Sequence, residues 1–302
     1  MNKFAIIGDS TCDLTGELRA KYNIEYARMS VTLGNDVDAK EIYADLDWPE
    51  ISPKEYYDLT RNGTRMRTAQ VTEQEFDRVF IPHLEKGEDV IYISCSSALS
   101  ASVKLAIKLN NEKYSKKYPN ARLIIVDSLI SCIGQGMLCI EAAKLREEGK
   151  SVDEVASWLE ENKLTCNQVA TLETLEYLKR AGRVKATKAF FGNLFGVKPM
   201  LISDAKGNNY AIEKQKGRRN GLLRTISMTK EVVINPENQI AYLVHSDANP
   251  EDVELVRSKL IDECHFKEVY IAPLGPIIGA TTGPGTLAVF CFGKKVEVVS
   301  AE

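Results

Sequence analysis

The stretch Val90-Ile91-Tyr92-Ile93-Ser94-Cys95-Ser96-Ser97-Ala98-Leu99-Ser100-Ala101-Ser102 decides the fold of this chain. Its first four residues are apolar and predict a buried strand. A helical pattern follows, which we expect to run from Ala98 to about Lys116. Serines therefore gather where a parallel strand leads into a helix, which is the edge where α/β sheets bind ligands. Helix N–H groups and hydroxyls there suit an anion, although an N-cap with solvated serines would give the same pattern.

The same order of strand and helix recurs on both sides of this stretch. An apolar strand over residues 3–8 ends at Asp9-Ser10, and another over residues 122–126 ends at Asp127-Ser128. The helical pattern after the second strand contains small residues, which we expect to serve close packing on a sheet. This alternation of strands and helices predicts an α/β fold with a parallel N-terminal sheet and helices on both of its faces.

Two threonines between these strands have different expected roles. Thr72 and Glu75 have the spacing of a capping box, which predicts that a helix begins there. Thr68 is then left in the connection before that helix, where its hydroxyl could meet a ligand. A threonine in a connection more often bonds to its own backbone, so both roles stay open.

The pattern changes after residue 162. We expect an N-terminal α/β domain over residues 1–162 and a smaller C-terminal α/β domain over residues 163–302. In the second domain a leucine-rich helix is predicted to end at Gly182, and a short apolar helix is predicted over residues 187–195. The last motif, over residues 275–286, is rich in glycine, which permits close approach of the backbone.

Composition excludes several classes of function. The 302 residues are 44% hydrophobic and 27% charged, as in ordinary soluble proteins. A net charge of −3 argues against non-specific nucleic-acid binding, which needs a basic face. No apolar run reaches the roughly 18 residues of a membrane helix, and no signal segment precedes the first strand. We therefore expect a cytoplasmic protein without stable membrane insertion.

Cysteine and histidine usage gives no sign of a metal centre. The seven cysteines are scattered and never spaced as Cys-x-x-Cys, which favours reduced thiols. The three histidines, His83, His245 and His265, are too few for a histidine-rich site. There is also no P-loop and no GxGxxG motif, so we expect neither a metal nor a nucleotide cofactor.

Seven short motifs, taken in order, resemble those of the DegV family. They are Asp9-Ser10-x-x-Asp13-Leu14, Thr68-Ala69-Gln70, Ser96-Ser97-x-Leu99-Ser100, Val126-Asp127-Ser128, Leu172-x-x-Leu175-x-x-Leu178 leading to Gly182-Arg183, Val197-x-Pro199 and Thr282-Gly283-Pro284-Gly285. The resemblance implies two α/β domains that bind one long-chain fatty acid between them. It also implies a non-catalytic role, in which a separate ATP-dependent fatty-acid kinase subunit converts the presented acid to acyl phosphate.

The resemblance further implies a set of site residues. It places the fatty-acid carboxylate among Thr68, Ser96, Ser97, Arg180, Thr281 and Thr282, and it places Arg183 nearer the kinase contact. Many family members have a histidine where this chain has Thr281. Because threonine cannot carry a positive charge, either an arginine supplies it or the carboxylate is less strongly stabilised.

Two other classes of function remain open. A serine hydrolase would use Ser97 with His245 and Asp247, but Ser97 lacks the G-x-S-x-G elbow of such enzymes. A binder of a small polar acid or of phosphate would use the serine loop and the glycine-rich tail, and it would have a short, wet pocket instead of a long, dry one.

Overall fold

The computed structural model describes residues 4–34, 39–187, 190 and 196–300. The strands of these residues are β1 (Phe4–Asp9), β2 (Ile24–Ala27), β3 (Ser30–Leu33), β4 (Lys40–Tyr43), β5 (Met66–Ala69), β6 (Asp89–Ser94), β7 (Leu123–Asp127), β8 (Cys166–Thr171), β9 (Val197–Ser203), β10 (Asn209–Lys216), β11 (Ile240–His245), β12 (Glu268–Pro273) and β13 (Leu287–Phe292). The α-helices are α1 (Gly16–Tyr22), α2 (Pro53–Arg61), α3 (Glu73–Leu84), α4 (Ser102–Leu109), α5 (Ser115–Lys117), α6 (Ile133–Glu147), α7 (Val152–Asn162), α8 (Glu176–Ala181), α9 (Arg218–Val232), α10 (Pro250–Asp262) and α11 (Pro276–Thr282).

The first sheet is parallel throughout, with the strand order β2-β1-β6-β7. The predicted parallel sheet is thus confirmed. Side chains of β1 alternate between two hydrophobic clusters, with Ile6 in one and Ile7 in the other. Helix α6 contributes to the first cluster, and helices α3 and α4 contribute to the second. Helices therefore cover both faces of the sheet, as expected for a parallel sheet.

The C-terminal ends of β1, β6 and β7 meet at one edge of this sheet. Asp9 Oδ2 accepts a hydrogen bond from the Cys95 N–H (3.1 Å), and Asp127 Oδ1 accepts one from the Ser97 N–H (3.1 Å). The carboxylates at two strand ends thus hold the start of the serine stretch after β6.

A second sheet contains every described strand from β8 onward, in the order β10-β9-β8-β13-β11-β12. Only β11 and β12 pair in parallel, and the other pairs are antiparallel. A third, antiparallel sheet has the order β4-β3-β5. The division of the chain into residues 1–162 and 163–302 stays a prediction.

Helix α6 is buried between the first and second sheets. A Cβ atom on Gly136 would lie 2.5 Å from the Cys12 carbonyl oxygen, and one on Gly134 would lie 2.9 Å from Phe290 Cδ1. These contacts leave no room for a side chain. The packing role predicted for the small residues of this helix is therefore confirmed.

The segment after β6 differs from the predicted helix. Helix α4 begins at Ser102 instead of at Ala98, because the Ser102 N–H donates to Ser100 Oγ (3.2 Å) and the residues before it form turns. Most of the serine stretch is therefore a loop whose N–H groups bond to side chains and to backbone carbonyls, which leaves fewer of them for a ligand.

The prediction for Thr68 was wrong in its local structure. Thr68 lies in β5, paired with Val31, and not in a connection. Thr72 does cap α3, since its Oγ1 accepts a bond from the Glu75 N–H (3.3 Å). The Glu75 carboxylate does not complete a capping box, because it binds Arg28 instead (2.7 Å).

The leucine-rich helix is shorter than its sequence pattern. It is α8, and it ends at Gly182, whose φ of 67° confirms the predicted left-handed cap. Helix α11 occupies the middle of the glycine-rich motif, where a helix was not predicted. Most of the helix predicted over residues 187–195 lies outside the described residues.

Candidate functional site

Three adjoining cavities lie between the loops that follow the strands of the first sheet, β5, α8, α11 and the second sheet. The outer cavity has a volume of about 170 Å³ and is lined by Thr60, Thr64, Arg65, Met66, Arg67, Thr68, Tyr177, Arg180, Ala181, Arg183, Ala280 and Thr281. The middle cavity, of about 150 Å³, is lined by Thr11, Met29, Thr68, Ala69, Gln70, Cys95, Leu99, Ser100, Ala101, Ser131, Arg183, Asn209, Ile277, Ile278 and Thr281. The inner cavity, of about 30 Å³, is lined by Ser131, Cys132, Gln168, Ala170, Leu172, Leu201, Asn209, Leu274, Ile278, Thr281, Thr282, Thr286, Ala288 and Phe290.

Shared side chains show that the cavities form one path. Thr281 lines all three cavities, and Thr68 and Arg183 line both the outer and the middle one. Asn209 and Ile278 line both the middle and the inner one. The path therefore leads from an arginine-rich mouth, past hydroxyl groups, to a mostly apolar end between the sheets.

The middle cavity brings the end of β5 to the serine loop. The Val71 N–H donates to Ser102 Oγ (3.2 Å), and Ser102 Oγ shares a hydrogen bond with Ser100 Oγ (3.0 Å). The Thr68 side chain is exposed in this cavity and has no hydrogen-bond partner among the described residues. Thr68 and Ser100 can therefore both offer hydroxyl groups to a ligand here.

Ser96 and Ser97 lie outside this lining. Ser96 is fully buried, its Oγ accepts a bond from the Ala98 N–H (3.2 Å), and its side chain packs against Gly207 in the turn between β9 and β10. The backbone N–H of Ser97 is bound to Asp127. Of the serines in the loop, Ser100 is the one that lines the middle cavity.

Two arginines reach the cavities from α8 and the residues after it. Arg180 lies beside the Tyr177 ring, 5.6 Å from its centroid, and lines the outer cavity. Arg183 donates through Nε to the Leu99 carbonyl (2.9 Å), so it ties the second half of the chain to the serine loop. Arg183 thus lies at the junction of the outer and middle cavities, and Arg180 lines the outer one.

The glycine-rich motif makes room for α8. Gly283 has a φ of 77°, and a Cβ atom there would overlap the Tyr177 ring. A larger residue would therefore push away the ring that stands beside Arg180. This gives a physical reason for glycine at that position.

Thr281 and Thr282 use their hydroxyl protons within α11. Thr281 Oγ1 donates to the Ile278 carbonyl (2.9 Å), and Thr282 Oγ1 donates to the same carbonyl (2.9 Å). In this arrangement each hydroxyl can only accept a bond from a ligand. Thr281 faces all three cavities, whereas Thr282 lines the inner one.

A buried carboxyl group lies behind the inner cavity. Cys132, which lines that cavity, donates through Sγ to Asp13 Oδ2 (3.1 Å). Burial raises the pKa of Asp13 to about 8, and the bond from Cys132 opposes this rise only in part. Asp13 is therefore largely protonated at neutral pH and adds little negative charge to the site.

The structure does not assemble a hydrolase triad. No hydrogen bond joins Ser97 to His245 among the described residues, and Asp247 pairs with Arg61 (2.5 Å). The Nδ1 atom of His245 accepts from the Ala248 N–H (3.4 Å), and burial lowers the pKa of His245. The three residues named for that alternative thus serve local structure.

Metal ligands do not cluster in the described part of the chain. Within residues 4–34, 39–187, 190 and 196–300, no three His, Cys, Asp or Glu side chains form a group that could hold a metal ion. The seven cysteines are buried free thiols, and burial raises the pKa of Cys12 to about 12. Over the same ranges, no helix combines the length and apolar character needed to cross a membrane.

Sequence reasoning missed several residues of the path. Ser100 and Gln70 each end one of the family motifs, but nothing in their spacing shows that they face a cavity. Arg65 and Arg67 precede the Thr68 motif and carried no signal beyond their charge. Asn209 comes from the second sheet, and its role is visible only in three dimensions.

These features define a three-sheet α/β protein with an interior cleft that opens through an arginine-rich mouth. The family model described as "Uncharacterised protein, DegV family" matches residues 3–294. The chain belongs to the DegV family. A DegV domain-containing protein of Clostridium perfringens is 34% identical over 297 residues, which cover 98% of this chain and 100% of that protein.

Solved structures support the same assignment. A DegV family protein from Thermus thermophilus, described as fatty acid binding, is 27% identical with a TM-score of 0.82, over 97% of this chain and 100% of that one. DegV of Bacillus subtilis, described as a fatty acid binding protein, has a TM-score of 0.78 over 97% of this chain and 100% of its own, and at 24% identity it supports the fold alone.

Proposed function

We propose that this chain binds a long-chain fatty acid and presents its carboxylate to a separate ATP-dependent kinase subunit. The observation that carries the proposal is the path of three cavities, in which hydroxyl groups stand between an arginine-rich mouth and an apolar interior. The fatty-acid binding described for the Thermus thermophilus relative supports it.

The head group is assigned to the middle cavity. Thr68 and Ser100 donate hydroxyl hydrogen bonds to the carboxylate, and Arg183 supplies the positive charge that a threonine at position 281 cannot. Arg180 stands farther out and strengthens the positive field of the mouth. Ser96 and Ser97 then shape the loop that carries Ser100.

The acyl chain extends toward the inner cavity. Burying about 15 methylene groups at roughly 0.8 kcal/mol each favours binding by on the order of 12 kcal/mol before ordering costs. The inner cavity of about 30 Å³ is too small for such a chain. Side chains such as Leu172, Leu201 and Ile278 therefore move apart when the acid enters. A small polar acid would not require this movement.

The kinase partner would act at the outer cavity. A carboxylate held by Thr68 and Arg183 lies where the middle cavity meets the outer one. From there one carboxylate oxygen forms a bond to the γ-phosphorus of ATP while the bond to ADP breaks. In this proposal the partner holds ATP and carries out the transfer, and this chain positions the nucleophile.

Native mass spectrometry of the purified protein, followed by lipid extraction, tests the binding step. We expect about one fatty acid per chain. A protein that is empty, and that stays empty after incubation with mixed long-chain acids, would contradict the proposal and favour a smaller ligand.

A matched pair of variants tests the head-group assignment. Thr68→Val removes a hydroxyl that bonds a charged group, so we expect the Kd for hexadecanoic acid to rise about tenfold. Thr32→Val makes the same change in the same small sheet but lies outside the three linings, and its Kd should stay near that of the wild type. Equal affinities for the wild type and Thr68→Val would refute the role of Thr68.

A further inference from the structure

The outer cavity gathers most of the arginines that have no carboxylate partner in the part of the chain that the structure describes. The chain has 14 arginines, and eight of them pair with Asp or Glu, namely Arg19, Arg28, Arg61, Arg78, Arg122, Arg218, Arg224 and Arg257. Among the described residues the other six make no ion pair, and four of them, Arg65, Arg67, Arg180 and Arg183, line this one cavity. Over the described ranges, with residues 35–38, 188–189 and 191–195 left aside, its lining contains no acidic side chain.

This group of arginines favours the binding of an anion in the outer cavity. Like charges around a shared cavity repel one another, and without a counter-charge nearby they raise the local positive potential. Guanidinium groups bind oxyanions through paired hydrogen bonds, and phosphate accepts more of these bonds than a carboxylate does. One arginine and two hydroxyls suffice for a fatty-acid carboxylate, so the remaining cations are available for a second group.

The size and position of the outer cavity suit a phosphoryl group. A volume of about 170 Å³ would hold roughly five or six water molecules at about 30 Å³ each. The cavity is therefore large enough for a phosphoryl group, which has only a few heavy atoms. Thr68, Arg183 and Thr281 line both this cavity and the middle one. A group attached to the carboxylate oxygen would therefore project directly into the outer cavity.

We infer that the outer cavity is a phosphoryl subsite, in which Arg65 and Arg67 hold the phosphoryl group of an acyl monophosphate while its acyl chain stays in the inner cavity. This inference rests on the proposed function, because the acyl phosphate is the product of that reaction. Strand pairing fixes the backbone from which both side chains extend, since Arg67 pairs in register with Thr32 and the Arg65 carbonyl accepts from the Gly34 N–H (2.9 Å). The chain would thus bind the product as well as the substrate.

Paired ligands separate this subsite from the head-group site. Full-length protein, freed of lipid, is titrated with hexadecanoic acid and with hexadecyl phosphate, a stable analogue of the acyl phosphate. The double variant Arg65→Gln, Arg67→Gln should bind hexadecyl phosphate at least about tenfold more weakly, whereas its affinity for hexadecanoic acid changes less than about threefold. The control Arg219→Gln removes an exposed arginine outside the three linings and should change neither affinity.

Each other outcome overturns the inference. An equal loss for both ligands, or no loss for either, would show that the two arginines do not recognise a phosphoryl group. Inorganic phosphate that binds with the same dependence on Arg65 and Arg67, and as tightly as hexadecyl phosphate, would assign the cavity to free phosphate. If wild-type protein binds neither lipid, the proposed function fails together with the inference. If it binds hexadecanoic acid but not hexadecyl phosphate, only the inference fails.

Discussion

Replacing Arg183 by glutamine isolates the charge at the junction of the outer and middle cavities. Arg183 lines both of them, and its Nε donates to the Leu99 carbonyl (2.9 Å). Glutamine keeps an N–H donor and part of the side-chain length, but it carries no charge. The substitution therefore tests whether this arginine supplies the charge that Thr281 cannot.

The expected loss can be compared with the contribution of the acyl chain. A hydrogen bond to a charged group contributes about 1.5–3 kcal/mol, against roughly 0.5–1.5 kcal/mol for a neutral pair. Losing the charge should therefore cost about 1.5 kcal/mol, which is roughly a tenfold change in Kd. Because each buried methylene contributes about 0.8 kcal/mol, the variant should bind an acid as weakly as the wild type binds one about two carbons shorter.

The assay is a series of dissociation constants for saturated acids of increasing chain length. We expect the logarithm of Kd to fall linearly with chain length, with equal slopes for the wild type and Arg183→Gln and a constant offset between them. Arg219→Gln, which loses an exposed arginine outside the cavities, should overlay the wild type. Overlapping lines for the wild type and Arg183→Gln would refute the role of the charge. A changed slope would show that Arg183 acts on the acyl path through its bond to Leu99.

Two further predictions concern stability. Because burial raises the pKa of Asp13 from 3.8 to about 8, the folded protein binds a proton that the unfolded chain releases, so the free energy of unfolding should fall by up to about 1.4 kcal/mol per pH unit between those values. Asp13→Asn should remove this part of the pH dependence in urea unfolding at pH 5 and pH 8, and an unchanged dependence would contradict the raised pKa. Gly283→Ala should lower the free energy of unfolding by about 2–4 kcal/mol, because its Cβ meets the Tyr177 ring in addition to the strained φ. Gly217→Ala is the matched control, because Gly217 has nearly the same φ and ψ (81° and 156°, against 77° and 171° at Gly283) with open space around it. It should lose only about 1–2 kcal/mol, so equal losses for the two variants would argue against the ring contact.

Local features of the fold were predictable because they depend on neighbours in sequence. The apolar run before Ser94 predicted a parallel strand, and Thr72 and Gly182 were predicted at the ends of helices that the structure confirms. Strand and helix periodicity, side-chain caps and the left-handed glycine each involve only a few consecutive residues. The family resemblance joined these local signals into an order that spans the chain.

The choice among neighbouring serines was not predictable in the same way. Ser96, Ser97 and Ser100 have the same hydroxyl group and lie within five residues, yet Ser100 alone of the three lines the middle cavity. The difference arises because residues from outside the segment contact the first two serines: Gly207 of the β9–β10 turn packs against Ser96, and Asp127 binds the Ser97 N–H. A turn without a regular period carries no sequence signal for the direction of its side chains.

The sequence by itself thus determined the α/β class, the parallel sheet, several helix ends and the family. Only the tertiary structure decided which polar groups share a cavity. Arg67 of β5 and Arg65 just before it line one cavity with Arg180 and Arg183, more than a hundred residues further along the chain, and Thr281 joins them from α11. The physical reason is that strand and helix patterns arise from interactions along the chain, whereas the charge and shape of a cavity arise from packing between distant segments.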